Sequence, residues 1–142
     1  MASVKDLLES KGSAIFSVGP DDPVLEAIRV MAERRVGALL VMKAGELVGI
    51  VSERDYARKV ILLGRSSSDT PVSQIMSSPV HTISTKRSVE DCMRLMTERR
   101  VRHLPVVENG RVVGVISIGD LVKAVIEDQR QTIEQLEDYI HR

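Results

Sequence analysis

Two short stretches place a hydroxyl and a carboxylate three residues apart at the end of an apolar run. They are Gly49-Ile50-Val51-Ser52-Glu53-Arg54-Asp55 and Gly114-Val115-Ile116-Ser117-Ile118-Gly119-Asp120, related by a constant offset of 65 residues. Where a strand turns into a helix, unpaired N–H groups and the positive end of the helix dipole favour an anion. Ser52 and Ser117 can donate to a phosphate at such a corner. Asp55 and Asp120, one turn further on, can accept from the vicinal hydroxyls of a ribose. The same residues serve equally as caps, with Ser at the N-cap and Asp in the first turn. Duplication does not separate these readings, because a duplication copies caps as well.

Other chemistries lack their residues. Ser10-Lys11-Gly12-Ser13 has no upstream glycine to complete a phosphate loop, and Gly110, Gly114 and Gly119 are wrongly spaced for a dinucleotide fingerprint. His81, His103 and His141 show no ligand spacing, and one cysteine cannot build a zinc set. Cys92 falls on the apolar face of a helix pattern, which predicts a buried structural thiol rather than a nucleophile. No serine sits in a nucleophile elbow. No enzymatic activity is expected.

The elements that carry the two corners are themselves duplicated. Sliding the chain by 65 residues aligns 24–61 with 89–126 without a gap, and 16 of the 38 pairs are identical. Upstream, Val4–Leu8 is similar to Val72–Met76 at an offset of 68. The expected division is repeat 1 at 1–65, a polar linker at 66–70, repeat 2 at 71–126 and an unduplicated extension at 127–142. Thr70-Pro71 reads as a helix N-cap and first helical residue.

Within each copy, Val24, Ala27, Ile28 and Met31, and likewise Val89, Cys92, Met93 and Met96, recur at i, i+3, i+4, i+7 and predict one apolar helix face. Arg34-Arg35 and Arg99-Arg100 stand where cations favour a helix C-terminus; a phosphate patch is the other reading. Apolar runs at 38–42 and 47–51, and at 104–107 and 112–116, predict hairpins. Asn109-Gly110 is a strong two-residue turn, of which Ala44-Gly45 keeps only the glycine. Second helices are expected over 53–63 and from 118 onward, with short strands at 15–18 and 80–83. Each copy therefore reads β-α-β-β-α, an α+β (α/β) fold. Strands of nearly continuous apolar character imply burial on both faces.

The whole chain has 142 residues, 43% hydrophobic and 28% charged, which is the composition of a folded domain rather than a disordered tail. Twenty basic residues balance twenty acidic ones, so no basic footprint for nucleic acid or anionic membrane exists. The start lacks a signal-peptide layout, no segment approaches a membrane span, and a single cysteine fits a reducing compartment; a cytoplasmic location is expected. In the extension, Val122, Ile126, Ile133, Leu136 and Ile140 share one side of a long helix, interrupted by Gln129. An acidic polar face argues for packing onto the body or a second chain rather than onto lipid.

The repeat as a whole resembles a cystathionine-β-synthase (CBS) domain, and the pair resembles a Bateman module. The resemblance rests on Val101-Arg102-His103-Leu104-Pro105-Val106-Val107, Asn109-Gly110, Val113-Gly114-Val115-Ile116-Ser117 and Asp120. In copy one it rests on 36–41, Gly45, 48–52 and 53–55, and it covers about residues 3–126. It implies two β-α-β-β-α repeats packed sheet to sheet in a pseudo-twofold arrangement, often a disk-shaped homodimer of such pairs. It also implies clefts between the repeats that bind AMP, ADP, ATP or NAD(H), with S-adenosylmethionine behind them.

Carried over, the resemblance makes Asp55 and Asp120 ribose acceptors, Ser52 and Ser117 phosphate-side hydroxyls, and Arg54, Arg102 and His103 phosphate-facing groups. Adenine would lie against Ser78, Val80, Thr82, Pro105 and Ile116, or in copy one against Ser13, Ile15, Ser17 and Val51. Copy two has Gly119 where copy one has Arg54, and copy one has Gly37-Ala38-Leu39-Leu40 in place of Arg102-His103-Leu104-Pro105. Two unequal sites are therefore expected, in a regulatory adenine-nucleotide sensor without catalysis or metal and with an unidentified regulated partner. The rival is a scaffold whose Ser–Asp pairs are caps only.

Overall fold

The computed structural model describes residues 2–141. Its elements are α1 (Val4–Lys11), β1 (Ser17–Val18), α2 (Val24–Arg34), β2 (Ala38–Lys43), β3 (Glu46–Ser52), α3 (Glu53–Tyr56), α4 (Val89–Arg99), β4 (His103–Glu108), β5 (Arg111–Ser117) and α5 (Ile118–Ile140). A π-helical turn, Ala57–Ile61, continues α3, and a 3-10 turn spans Val72–Gln74. The fold is mixed α+β. The 65-residue offset holds element by element: α2 maps onto α4, β2 onto β4 and β3 onto β5 without a shift.

The chain divides into two compact units, Ile15–His81 and the pair of segments Met1–Ala14 with Thr82–Arg142. In the Ile15–His81 unit the strand order is β1-β2-β3, with β1 parallel to β2 and β2 antiparallel to β3. The predicted helix face supplies Val24, Ala27 and Met31 to a core with Leu39, Val41, Val51, Val60, Val72 and Ile75. Buried residues Leu39, Leu40 and Val41 follow one another along β2, as continuous apolar strands require. Ala44 and Gly45 both take positive φ (52° and 80°), so this hairpin turns as an Asn-Gly turn does. Arg35 ends α2 in the left-handed conformation, its N–H bonded to Met31 O.

In the other unit β4 and β5 form an antiparallel pair, and Val89, Cys92, Met96, Leu104, Val106, Ile116 and Leu121 share a core with Val4 and Leu8 of α1. Burial pushes the Cys92 thiol up, away from nucleophilic use. The α1 helix is closed by a capping box in which Ser3 Oγ accepts from Asp6 N–H and Asp6 accepts from Ser3 N–H.

These units are cut differently from the sequence repeats. The segment leading into repeat 1, α1, lies against β5, while the segment leading into repeat 2 lies against β3. Each close approach is made through a glycine. A Cβ on Gly114 would stand 2.6 Å from Leu8 Cδ2, and one on Gly49 would stand 2.5 Å from Met76 Sδ and 3.2 Å from Ser77 O. The backbone pairing of Ile50 with Ser77, with N–H···O bonds of 3.1 and 2.8 Å, fixes the second approach.

Three local expectations differ. Thr70 is not a helix cap: its hydroxyl donates to Ser66 O at 2.6 Å, and only one 3-10 turn follows Pro71. No strand forms over 80–83. Ile83 alone bridges to Val106, its N–H donating to Pro105 O and its carbonyl accepting from Val107 N–H. The helix expected over 53–63 is four α-helical residues and a π turn, with Leu62 N–H reaching Ala57 O.

Candidate functional site

Both Ser–x–x–Asp motifs sit where a strand becomes a helix, and both fold as reciprocal capping boxes. At the first corner Asp55 Oδ2 accepts from Ser52 N–H at 2.9 Å and from Ser52 Oγ at 3.0 Å, while Asp55 N–H donates to Ser52 Oγ at 3.2 Å. At the second, Asp120 Oδ2 accepts from Ser117 N–H at 2.8 Å and Asp120 N–H donates to Ser117 Oγ at 3.2 Å. The N–H of each following residue bonds the carbonyl at the start of the paired strand, Glu53 to Gly37 O and Ile118 to Arg102 O. Capping is therefore what these residues do in the protein alone. It does not exhaust them, since a carboxylate has about four lone-pair sites.

A lysine stands at each carboxylate, and neither was singled out from the sequence. Lys59 Nζ lies 3.4 Å from Asp55 Oδ1 on the same helix and donates to Ile75 O at 2.9 Å. Lys11 Nζ comes from the end of α1, 2.6 Å from Asp120 Oδ2 and 2.7 Å from Val115 O. The i,i+4 spacing of Asp55 and Lys59 is a signal a sequence can carry. Lys11 gives none, because its role depends on α1 folding against β5.

Asp120 is half-buried. Burial pushes its carboxyl up, but the Lys11 ammonium and the Ser117 N–H outweigh that and hold it below the usual aspartate value. His103 is registered opposite Ser117 across β4 and β5. Burial lowers its pKa, Asp120 works against that, and Lys11 and Arg102 add to it, so the net shift is below the ordinary histidine value and favours the neutral imidazole. Beside the Lys11–Asp120 pair opens a cleft of about 520 Å³ lined by Asp6, Ser10, Lys11, Asp120, Lys123 and Glu127, among others.

Of the residues expected to meet a ligand, Arg102, His103, Pro105, Ile116, Ser117, Asp120, Thr82 and Ser13 belong to the unit containing α5. Ser52, Arg54, Asp55, Ile15, Ser17, Val51, Ser78 and Val80 belong to the other. Val51 and Ile116 are fully buried in their respective cores. Arg54 and Arg102 are exposed. Among the described residues no three His, Cys, Asp or Glu side chains are grouped to hold a metal ion, and no helix is long and apolar enough to cross a membrane.

Comparison with known proteins agrees with the repeat. The family model of the CBS domain matches residues 3–61 and 72–127. A putative signal-transduction protein with CBS domains from Burkholderia ambifaria shares 50% identity and superposes with a TM-score of 0.87, over 90% of this chain and 96% of that one. The mitochondrial CBS domain-containing protein CBSX3 of Arabidopsis thaliana is 40% identical over 147 residues, covering 97% of this chain and 71% of that protein. The CBS domain-containing protein YhcV of Bacillus subtilis is 35% identical over 121 residues, covering 85% and 84%.

Proposed function

This chain belongs to the CBS-domain family, and we propose that it is a regulatory module that binds adenosine-containing ligands at its two Ser–x–x–Asp corners, without catalysis of its own. The observation that carries this is the second corner, where a serine hydroxyl, a charged carboxylate and the cations Lys11 and Arg102 surround one strand-to-helix junction. Such a set matches a ribose diol joined to a phosphate. AMP, ADP, ATP and NAD(H) carry that pair of groups. S-adenosylmethionine brings a sulfonium cation instead, which Lys11 opposes. The corners are unequal because the first draws on Arg54 and Lys59 and the second on Lys11, Arg102 and His103. Ligand occupancy shifts the populations of the module's conformations and so biases a regulated partner. A single buried thiol fits action in a reducing compartment such as the cytoplasm, and the proposed assembly is a homodimer.

Thermal-shift screening with AMP, ATP, NAD(H) and S-adenosylmethionine tests this directly. A ligand at a hundred times its dissociation constant stabilises the fold by about 2.7 kcal/mol, and calorimetry then yields two unequal sites. Absence of any shift removes the proposal. One observation favours a second reading, a scaffold without ligands: the Ser52 hydroxyl is already committed to Asp55. That reading predicts a melting temperature that ignores nucleotides, whereas dependence on protein concentration follows from either reading.

A further inference from the structure

The α5 helix runs for 23 residues, yet Leu121 is its one buried residue, and every position from 129 to 140 is exposed. A helical segment of that length with no packed face is marginal in water. Its apolar residues are nevertheless ordered. Val122, Ile126, Gln129, Ile133, Leu136 and Ile140 are separated by alternating steps of four and three, the seam of a coiled coil. The side by which α5 meets its own unit is a different one, formed by Leu121, Ala124 and Val125. The apolar seam residues Val122, Ile126, Ile133, Leu136 and Ile140 are between 45% and 74% exposed.

Charges beside the seam say what covers it. Lys123, Arg130 and Glu137 recur every seven residues along one flank. Arg130 approaches Glu127 at 3.9 Å, whereas Lys123 and Glu137 have no ion-pair partner among the described residues. Laying the helix antiparallel on a copy of itself, centred near Gln131, sets position 122 opposite 140, 126 opposite 136 and 129 opposite 133. At the flank, where facing positions are staggered by two residues, this register brings Lys123 beside Glu137 of the partner subunit, twice by symmetry, and Arg130 beside its own copy at the centre. A parallel pair would instead bring Val125 to Arg130 and Thr132 to Glu137 at the flanks, with no opposite charges meeting.

We propose that α5 of one chain pairs antiparallel with α5 of a second copy, through the Val122–Ile140 seam and the reciprocal Lys123–Glu137 ion pairs. The interface is isologous, so it closes as a dimer.

The test uses the full chain in sedimentation equilibrium, with circular dichroism confirming that every variant is folded. K123E and E137K alone each raise the dimer dissociation constant, by roughly 3- to 30-fold for two lost exposed pairs, and the K123E/E137K double variant restores it. Oxidising a mixture of Q129C and I133C chains produces a cross-linked dimer, whereas I133C alone does not. Failure of the double variant to rescue overturns the proposal. So does self-cross-linking of I133C, or a mass unchanged by the I133D/L136D double variant.

Discussion

Lys11 and Asp120, 109 positions apart, form a 2.6 Å charge-assisted contact that ties the end of α1 to the first turn of α5. The equivalent carboxylate, Asp55, takes its lysine from its own helix, four residues on and at 3.4 Å. The two corners thus share one backbone design and differ in where their cation comes from. Lys11 and Asp120 are both partly exposed, so the pair adds little to stability and bears chiefly on the protonation of Asp120.

Substituting Lys11 by Met removes the main opposition to burial at Asp120. The Asp120 carboxyl then titrates at higher pH than in the parent chain, while K59M leaves it in place; carboxyl-detected NMR titration reads both. At the ligand level, an arriving phosphate takes over Lys11 from Asp120 and keeps the ammonium paired, which neutral adenosine cannot do. In calorimetry K11M therefore narrows the preference for AMP over adenosine. An unchanged preference would show that Lys11 is structural only.

Gly114 and Gly49 admit Leu8 and Met76 to the sheets. Gly114→Ala forces a Cβ against three atoms of Leu8 at 2.6 to 3.4 Å, so it is expected to cost about 1–3 kcal/mol of unfolding free energy, as overpacking does. In the Leu8→Ala background the same change costs less, because the clash is gone, and the two changes are non-additive in urea melts. Gly49→Ala meets the flexible thioether end of Met76, but also the Ser77 carbonyl at 3.2 Å, which cannot move as freely.

Much of this arrangement is legible before folding. The apolar face at Val24, Ala27 and Met31, the hairpin at Asn109-Gly110 and the Ser–Asp corners follow from periodicity and turn chemistry, which are local. The placement of α1 is not local. Val4 and Leu8 announce an apolar face, but nothing in their spacing says that it belongs to β5 rather than to the repeat that follows it in the chain. Lys11 stayed hidden for that reason. The π turn after Tyr56 escaped because 53–63 carries a continuous helical pattern, and tertiary context alone decides which hydrogen-bond step closes it.

Ala44 adopts φ 52° in a turn whose counterpart is Asn109 at φ 51°. Alanine bears the left-handed conformation poorly, and asparagine tolerates it. Ala44→Asn should raise stability by roughly 0.5–1 kcal/mol, and Asn109→Ala should lower it by a similar amount. Denaturant melts of the two variants give opposite signs if the turns are as alike as their dihedrals.

His103 supplies the pH dependence. Burial holds its folded pKa below 6.5, so the unfolded chain binds the proton more readily than the folded one. Stability is then complete above 6.5, falls as the pH drops below it, and levels off once the folded imidazole is also protonated. Asp120, whose folded carboxyl is depressed, keeps its contribution above its unfolded pKa and loses it further down, as the pH falls through the folded value. The two losses have the same sign and occupy separate windows. His103→Gln, which keeps a polar side chain without a titrating ring, should flatten the step just below pH 6.5 and leave the more acidic one. Urea midpoints measured from pH 7.5 to pH 4 resolve the two. A bound nucleotide phosphate stabilises the protonated imidazole, so AMP should also bind more tightly at pH 6 than at pH 7.5 in the parent chain. In His103→Gln that difference should vanish.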